Sequence, residues 1–236
     1  MQGAASAIPK PMTSILTAQH VIHNIPTNEN SGENSGYLFC ENVFRRVRHV
    51  AKKAFGVLGT LKITEDGIEE EVGVDAAIIP INLYESPSPK DVLSPKIFDN
   101  SCDLMYEIIE KVGFKTQKTQ GKVVNVDYNA NFGDLRGGQC LLVEMLLGTK
   151  LSQFSHKGDS GSLVIRQVEN KQIEAIGILS MGIPMWKSPE GETFSDVAVI
   201  VLLKNCVQAI REKFGKQLNL DENWDTNVVR PLQLNE

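Results

Sequence analysis

Apolar positions in this chain come in short runs, each cut off by Gly, Pro, Asn or Ser before it reaches helical length. Met12–Ile22 is β-rich and ends beside a histidine. Phe55–Ile63, the Glu65-Asp66-Gly67 turn and the segment up to Val74 read as a hairpin. Val74–Ile81 follows as a short apolar strand carrying one acid, Asp75. Further strands are expected around Val112 and over Gly121–Val126, Gln139–Leu147, Ser162–Arg166, Ile173–Ser180 and Thr193–Val201. Many short strands separated by turn residues predict a β-sandwich or barrel. Leu202–Leu218 breaks this pattern: Leu203, Val207, Ile210 and Phe214 recur at a helical period and predict a C-terminal helix packed on the β-domain. Residues 24–37 read as a surface loop, Tyr84–Ser94 as a linker and Asn219–Glu236 as a polar tail. Over residues 38–53, Val43, Val47 and Val50, with Ala54 just beyond, fit a helical stripe while the β-branched content fits a strand, and both readings stay open.

Composition narrows the function classes. With 236 residues, 42% of them hydrophobic, the chain has material for one large or two modest cores. A net charge of −5 argues against nucleic acid or an anionic membrane as a partner. The one basic run, Arg45 to Lys53, lacks interleaved aromatics and reads as a solvated face. No stretch approaches the ~18–20 apolar residues that span a bilayer, and the first residues lack a basic start followed by an apolar core. A cytoplasmic location follows as the expectation. Cys40, Cys102, Cys140 and Cys206 are scattered, with no CxxC pair and no histidine at ligand spacing, so neither a metal site nor a cofactor is expected and free thiols are the simpler reading.

The chemistry concentrates in one stretch, Phe154-Ser155-His156-Lys157-Gly158-Asp159-Ser160-Gly161-Ser162-Leu163-Val164-Ile165, a polar turn running into an apolar strand. A serine hydroxyl becomes a useful nucleophile when a base takes its proton and backbone N–H groups face the oxyanion that forms. Gly158 has no side chain to block a carbonyl, so its N–H and that of Ser160 are candidates for that oxyanion hole, with Ser160 the candidate nucleophile.

Three separated pieces then fall in order: Thr17-Ala18-Gln19-His20-Val21, Val74-Asp75-Ala76-Ala77-Ile78, and Lys157 to Val164. Together they resemble the chymotrypsin/trypsin-like serine proteases. The resemblance implies an all-β fold of two antiparallel β-barrels with a C-terminal α-helix. It implies His20 as general base, Asp75 as its orienting acid and Ser160 as nucleophile. Gly177-Ile178-Leu179-Ser180-Met181-Gly182 resembles the strand that pairs with substrate backbone, and Lys115 to Val123 resembles the opening of the second barrel. The implied layout is an irregular lead (1–11), a first barrel (12–90), a second barrel with the helix (91–218) and a tail (219–236). His23 lacks the matching context and is rejected as the base. Leu135-Arg136-Gly137-Gly138 is read as a loop.

The departures from the family pattern carry expectations too. Nineteen residues precede His20, too few for the two strands expected there, so the first barrel is expected to be incomplete. Asp159, which in secreted members pairs with a newly cut N-terminus, needs another donor here. Val21 and His156 stand where cysteines are usual, which fits a disulfide-free lineage. By position, Phe154 and Ser155 are expected to line the primary substrate pocket, flanked by Ser180, Met181 and Gly182. None of these is charged, so a preference for small or apolar residues is expected and one for basic residues is not. The reading is a serine endopeptidase acting on peptide or protein substrates, of undetermined oligomeric state. The alternative is a catalytically impaired, protease-like binding or regulatory domain, or a fragment of a larger protein.

Overall fold

The computed structural model describes residues 14–18, 55–65, 67–80, 96–146, 153–168 and 172–214. Its elements, in order, are β1 (Ser14–Thr17), β2 (Phe55–Glu65), β3 (Ile68–Pro80), β4 (Lys96–Ile97), a 3₁₀ turn (Ser101–Leu104), β5 (Ile108–Gly113), β6 (Gln117–Phe132), β7 (Leu135–Met145), β8 (Leu163–Gln167), β9 (Ile173–Lys187), β10 (Thr193–Leu202) and α1 (Leu203–Phe214). The chain is thus built mostly of strands, with one helix near its C-terminal end. The expected loop over residues 24–37, the open segment 38–53, the linker Tyr84–Ser94 and the tail lie outside the described residues.

Two sheets meet through β3. On one side, β1 and β2 both pair antiparallel with β3, which reads as one long strand rather than as a hairpin arm plus a separate strand. On the other, β6, β7, β10, β9, β8 and β5 pair in sequence and β5 pairs back to β6, so the six form a closed ring of ladders. The join is a single parallel contact, Val72 opposite Gly138. This overturns the loop expected at Leu135–Gly138, which instead begins β7. Gly137, at φ +123°, is there because of close approach: a Cβ on it would stand 2.6 Å from the backbone of Val72 and Gly73.

Continuous apolar runs mark strands buried on both faces. In β10, Ala198, Ile200 and Leu202 enter a core with Ile109, Val143 and Ile176 that belongs to the ring alone. Val197, Val199 and Val201 point the opposite way, into a second core. That second core is shared: it also takes Val72, Val74 and Ala76 from β3, and Leu203, Cys206, Ala209 and Ile210 from α1. The helix therefore buries the stripe its spacing predicted and rests on β2, β3, β9 and β10. No described helix is long and apolar enough to cross a membrane.

Candidate active site

The turn between His156 and Ser162 sits on the closed ring where β8 begins. It is set by backbone bonds from Asp159 N–H to His156 O (2.9 Å), from Ser162 N–H to Asp159 O (3.0 Å) and from Gly161 N–H to Leu179 O (2.8 Å). Gly158 (φ +104°) and Gly161 (φ +89°) occupy backbone conformations that a Cβ would strain, which is the reason for glycine on both sides of Asp159-Ser160. Among the described residues, the N–H groups of Gly158 and Ser160 make no hydrogen bond, while that of Asp159 between them is used.

Asp159 is the anchor of this turn and is almost fully buried. Its Oδ1 accepts from the N–H of Lys115 (2.7 Å) and of Thr116 (3.2 Å). Its Oδ2 accepts from the Thr116 hydroxyl (2.7 Å), the His156 N–H (3.0 Å) and the Lys111 ammonium (3.2 Å). Burial alone would raise the Asp159 pKa. The Thr116 hydroxyl, the two backbone donors and the Lys111 charge outweigh it and hold the carboxyl below its ordinary value. Lys111 is itself fully enclosed, and burial pushes its pKa down against the pull of Asp159. Its ammonium also lies 5.4 Å from the centre of the Phe154 ring. The sequence reading left the partner of Asp159 open. The signal was present in the strand period: Lys111 shares the inward face of β5 with Ile109.

The expected site residues divide into three groups. Ser160, Ser180 and Asp75 are linked: Ser160 Oγ donates to the Ser180 carbonyl (2.9 Å), and Ser180 Oγ donates to Asp75 Oδ2 (2.6 Å). Asp75 is completely buried, and β3 delivers it to the ring from 105 residues away. Ser155, Met181 and Gly182, with Ser160 and Ser180, line a cleft of about 480 Å³ beside the turn. Phe154 does not line it. Its ring is fully buried in the core of the ring and its carbonyl accepts from the Thr119 hydroxyl (2.8 Å), so this residue packs rather than faces a ligand. His20 lies outside the described residues.

Among the described residues, one wall of the cleft is a strand edge with no further strand paired to it. β9 pairs with β8 only as far as Ile178, whereas on its other side Met181 and Gly182 continue in register with Val199 and Ala198 of β10. Backbone groups of β9 beyond Ser180 thus face the cleft, the arrangement to which an extended peptide adds as a further strand. Among the described residues, no His, Cys, Asp and Glu side chains are grouped to hold a metal ion, and Cys102, Cys140 and Cys206 are free thiols.

No family model and no curated protein matches the chain. Solved structures do. A glutamic acid specific serine protease is 16% identical, with a TM-score of 0.48 and 86% of each chain covered. Cellulomonas bogoriensis chymotrypsin is 12% identical at a TM-score of 0.40, over 71% of this chain and 85% of that one. Murine norovirus NS6 protease is 11% identical at 0.39, over 80% and 83%. The similarity is to chymotrypsin-like proteases. It is a similarity of fold.

Proposed function

We propose that this chain is a serine endopeptidase in which Ser160 Oγ attacks a peptide carbonyl. His20 would accept the hydroxyl proton and return it to the leaving amine, and Asp75 would orient the imidazole and stabilise its charged form. The oxyanion would be held by the N–H groups of Gly158 and Ser160, and the extended substrate by the open edge of β9. The proposed substrate is a peptide or protein, and no cofactor enters the reaction.

The observation that carries this reading is the link from Ser160 through Ser180 to Asp75, beside a cleft lined by Ser160 and Ser180 and next to two N–H groups that make no hydrogen bond among the described residues. A Gly-rich turn of purely structural use has no reason to be joined to a buried carboxylate on another sheet. In this turn the Ser160 hydroxyl donates its hydrogen bond to the Ser180 carbonyl, and attack would require the hydroxyl to turn and give its proton to the base.

The test is covalent labelling. A fluorophosphonate probe is expected to label the wild-type chain and to leave Ser160→Ala unlabelled. Where a peptide substrate is turned over, Ser160→Ala is expected to lower kcat by a factor on the order of 10⁶. Folded wild-type protein that takes no label and cleaves no peptide sinks the proposal and leaves the binding-domain alternative.

A further inference from the structure

The turn that joins β5 to β6 closes on the Ser160 turn. Gln117 folds it, with its backbone at φ +57° and a side-chain Nε2 that donates to the Phe114 carbonyl (2.9 Å). The two turns meet at two points. The Lys115 stem packs on Gly158, where a Cβ would stand 3.1 Å from Lys115 Cγ. Thr116 meets Asp159 with its N–H (3.2 Å) and with its hydroxyl (2.7 Å). That hydroxyl stands between two buried charges. The Lys111 ammonium is 2.7 Å from Thr116 Oγ1 and 3.2 Å from Asp159 Oδ2, so the shorter contacts between cation and anion run through the hydroxyl. An ammonium can only donate and an ionised carboxylate can only accept. Thr116 Oγ1 therefore accepts from Lys111, and its own proton is directed to Asp159 Oδ2. Both bonds are charge-assisted, the class that joins strength to fixed geometry. The other oxygen, Oδ1, is taken by the N–H groups of Lys115 and Thr116, so the carboxylate is held in one orientation. The N–H of Ser160 belongs to the peptide group that leaves Asp159, and that of Gly158 lies one residue before it. A rotation at Asp159 thus re-aims the donors on either side.

We propose that Thr116 is a positioning residue for the oxyanion hole: its hydroxyl, oriented by Lys111, fixes Asp159 and so aims the N–H groups of Gly158 and Ser160 at one point. Thr116 touches neither substrate nor reacting atoms and acts through Asp159. Lys111 supplies the compensating charge, and Thr116 supplies the direction. The inference rests on reading those two N–H groups as an oxyanion hole, whose value depends on donors held in place before the charge develops.

The test uses three variants of the full chain and two readouts. Thr116→Val keeps the shape of the side chain and removes the hydroxyl, Thr116→Ser keeps the hydroxyl, and Thr116→Cys offers a weaker donor of similar size. The first readout is the rate constant of fluorophosphonate labelling. It is expected to fall roughly 10- to 100-fold in Thr116→Val, to fall less in Thr116→Cys and to stay within about threefold of wild type in Thr116→Ser. Where a peptide is cleaved, kcat should fall with the labelling rate while KM stays within about twofold. The second readout, amide hydrogen exchange, needs no catalysis. Protection of the His156, Asp159 and Ser162 amides is expected to fall roughly tenfold or more in Thr116→Val relative to the amides of β7 and β10, and to return in Thr116→Ser. Equal loss of protection across the ring assigns Thr116 a purely structural role and overturns the proposal. So does a labelling rate that is unchanged in Thr116→Val or lowered as much in Thr116→Ser. If Thr116→Val does not fold, Thr116→Cys and Thr116→Ser carry the comparison, and equal rates with equal protection in the two overturn it. If wild type takes no label while the turn amides loosen in Thr116→Val and recover in Thr116→Ser, the peptidase reading falls and Thr116 still positions the turn. Wild-type labelling with no response to Thr116→Val in either readout keeps the peptidase reading and removes this one.

Discussion

Asp159 carries a negative charge in a place where an isolated carboxylate would be costly, and it does so because five donors converge on it. Four are uncharged backbone or hydroxyl groups, and Lys111 supplies the compensating charge. Removing that charge while keeping the volume leaves a buried, half-satisfied anion. Lys111→Met is therefore expected to lower unfolding stability by about 3–5 kcal/mol, read from urea denaturation. It should also slow fluorophosphonate labelling of Ser160, because the turn loses the group that ties it to β5. Unchanged stability together with an unchanged labelling rate would show that the neutral donors suffice. At this scale the sequence was legible where a residue type announces chemistry: Ser160 and Asp75 stood out, and the structure joins them through Ser180. Phe154 was placed at the pocket by its position in the family pattern, whereas its side chain lies fully buried in the core of the ring.

The elements were easier to read than their limits. Alternation and turn residues located the hairpin, the strands of the ring and the helix, because burial on one or both faces leaves a period in the sequence. They did not show that β6 runs on to Phe132 or β9 to Lys187. Those extensions do pack apolar residues on the shared core, Tyr128, Ala130 and Phe132 from β6 and Met181, Ile183 and Trp186 from β9, but Asn, Gly and Pro stand between them and read as turn residues in the sequence. Nor did they show that Leu135–Gly138 is strand: two glycines argue for a loop when seen alone, and here they let β3 cross close to β7. That crossing makes a prediction. Gly137→Ala places a methyl group against the backbone of Val72 and Gly73 at a φ that alanine disfavours, and is expected to destabilise by at least about 2 kcal/mol. A shift in the urea midpoint of under a few tenths of molar would mean that the two sheets part easily at this point.

At the scale of the whole molecule, acid should act on the turn before it acts on the cores. The Asp159 carboxyl is held below its ordinary value of 3.8, so the stability it contributes is fully present above that value and is lost as pH falls through the lower, folded one. The difference in melting temperature between wild type and Asp159→Asn is thus expected to be full at neutral pH and to narrow progressively below 3.8. A constant difference across that range would show that the carboxyl is not held down by its surroundings. The two cores differ in reach as well. Among the described residues, one is internal to the ring, whereas the other is shared by both sheets and α1. The Ser180–Asp75 bond crosses that shared boundary and closes a loop of 105 residues. Ser160 sits in a turn whose anchor, Asp159, is bonded to β5, to the segment that follows β5 and to the turn itself. The Asp75 carboxylate comes from the other sheet, so its bond to Ser180 requires the two sheets to be in contact, and closing so long a loop costs more entropy than local pairing. On the proposed mechanism, competence at Ser160 would report on assembly, because a chain whose two sheets have not met lacks the Ser180–Asp75 bond.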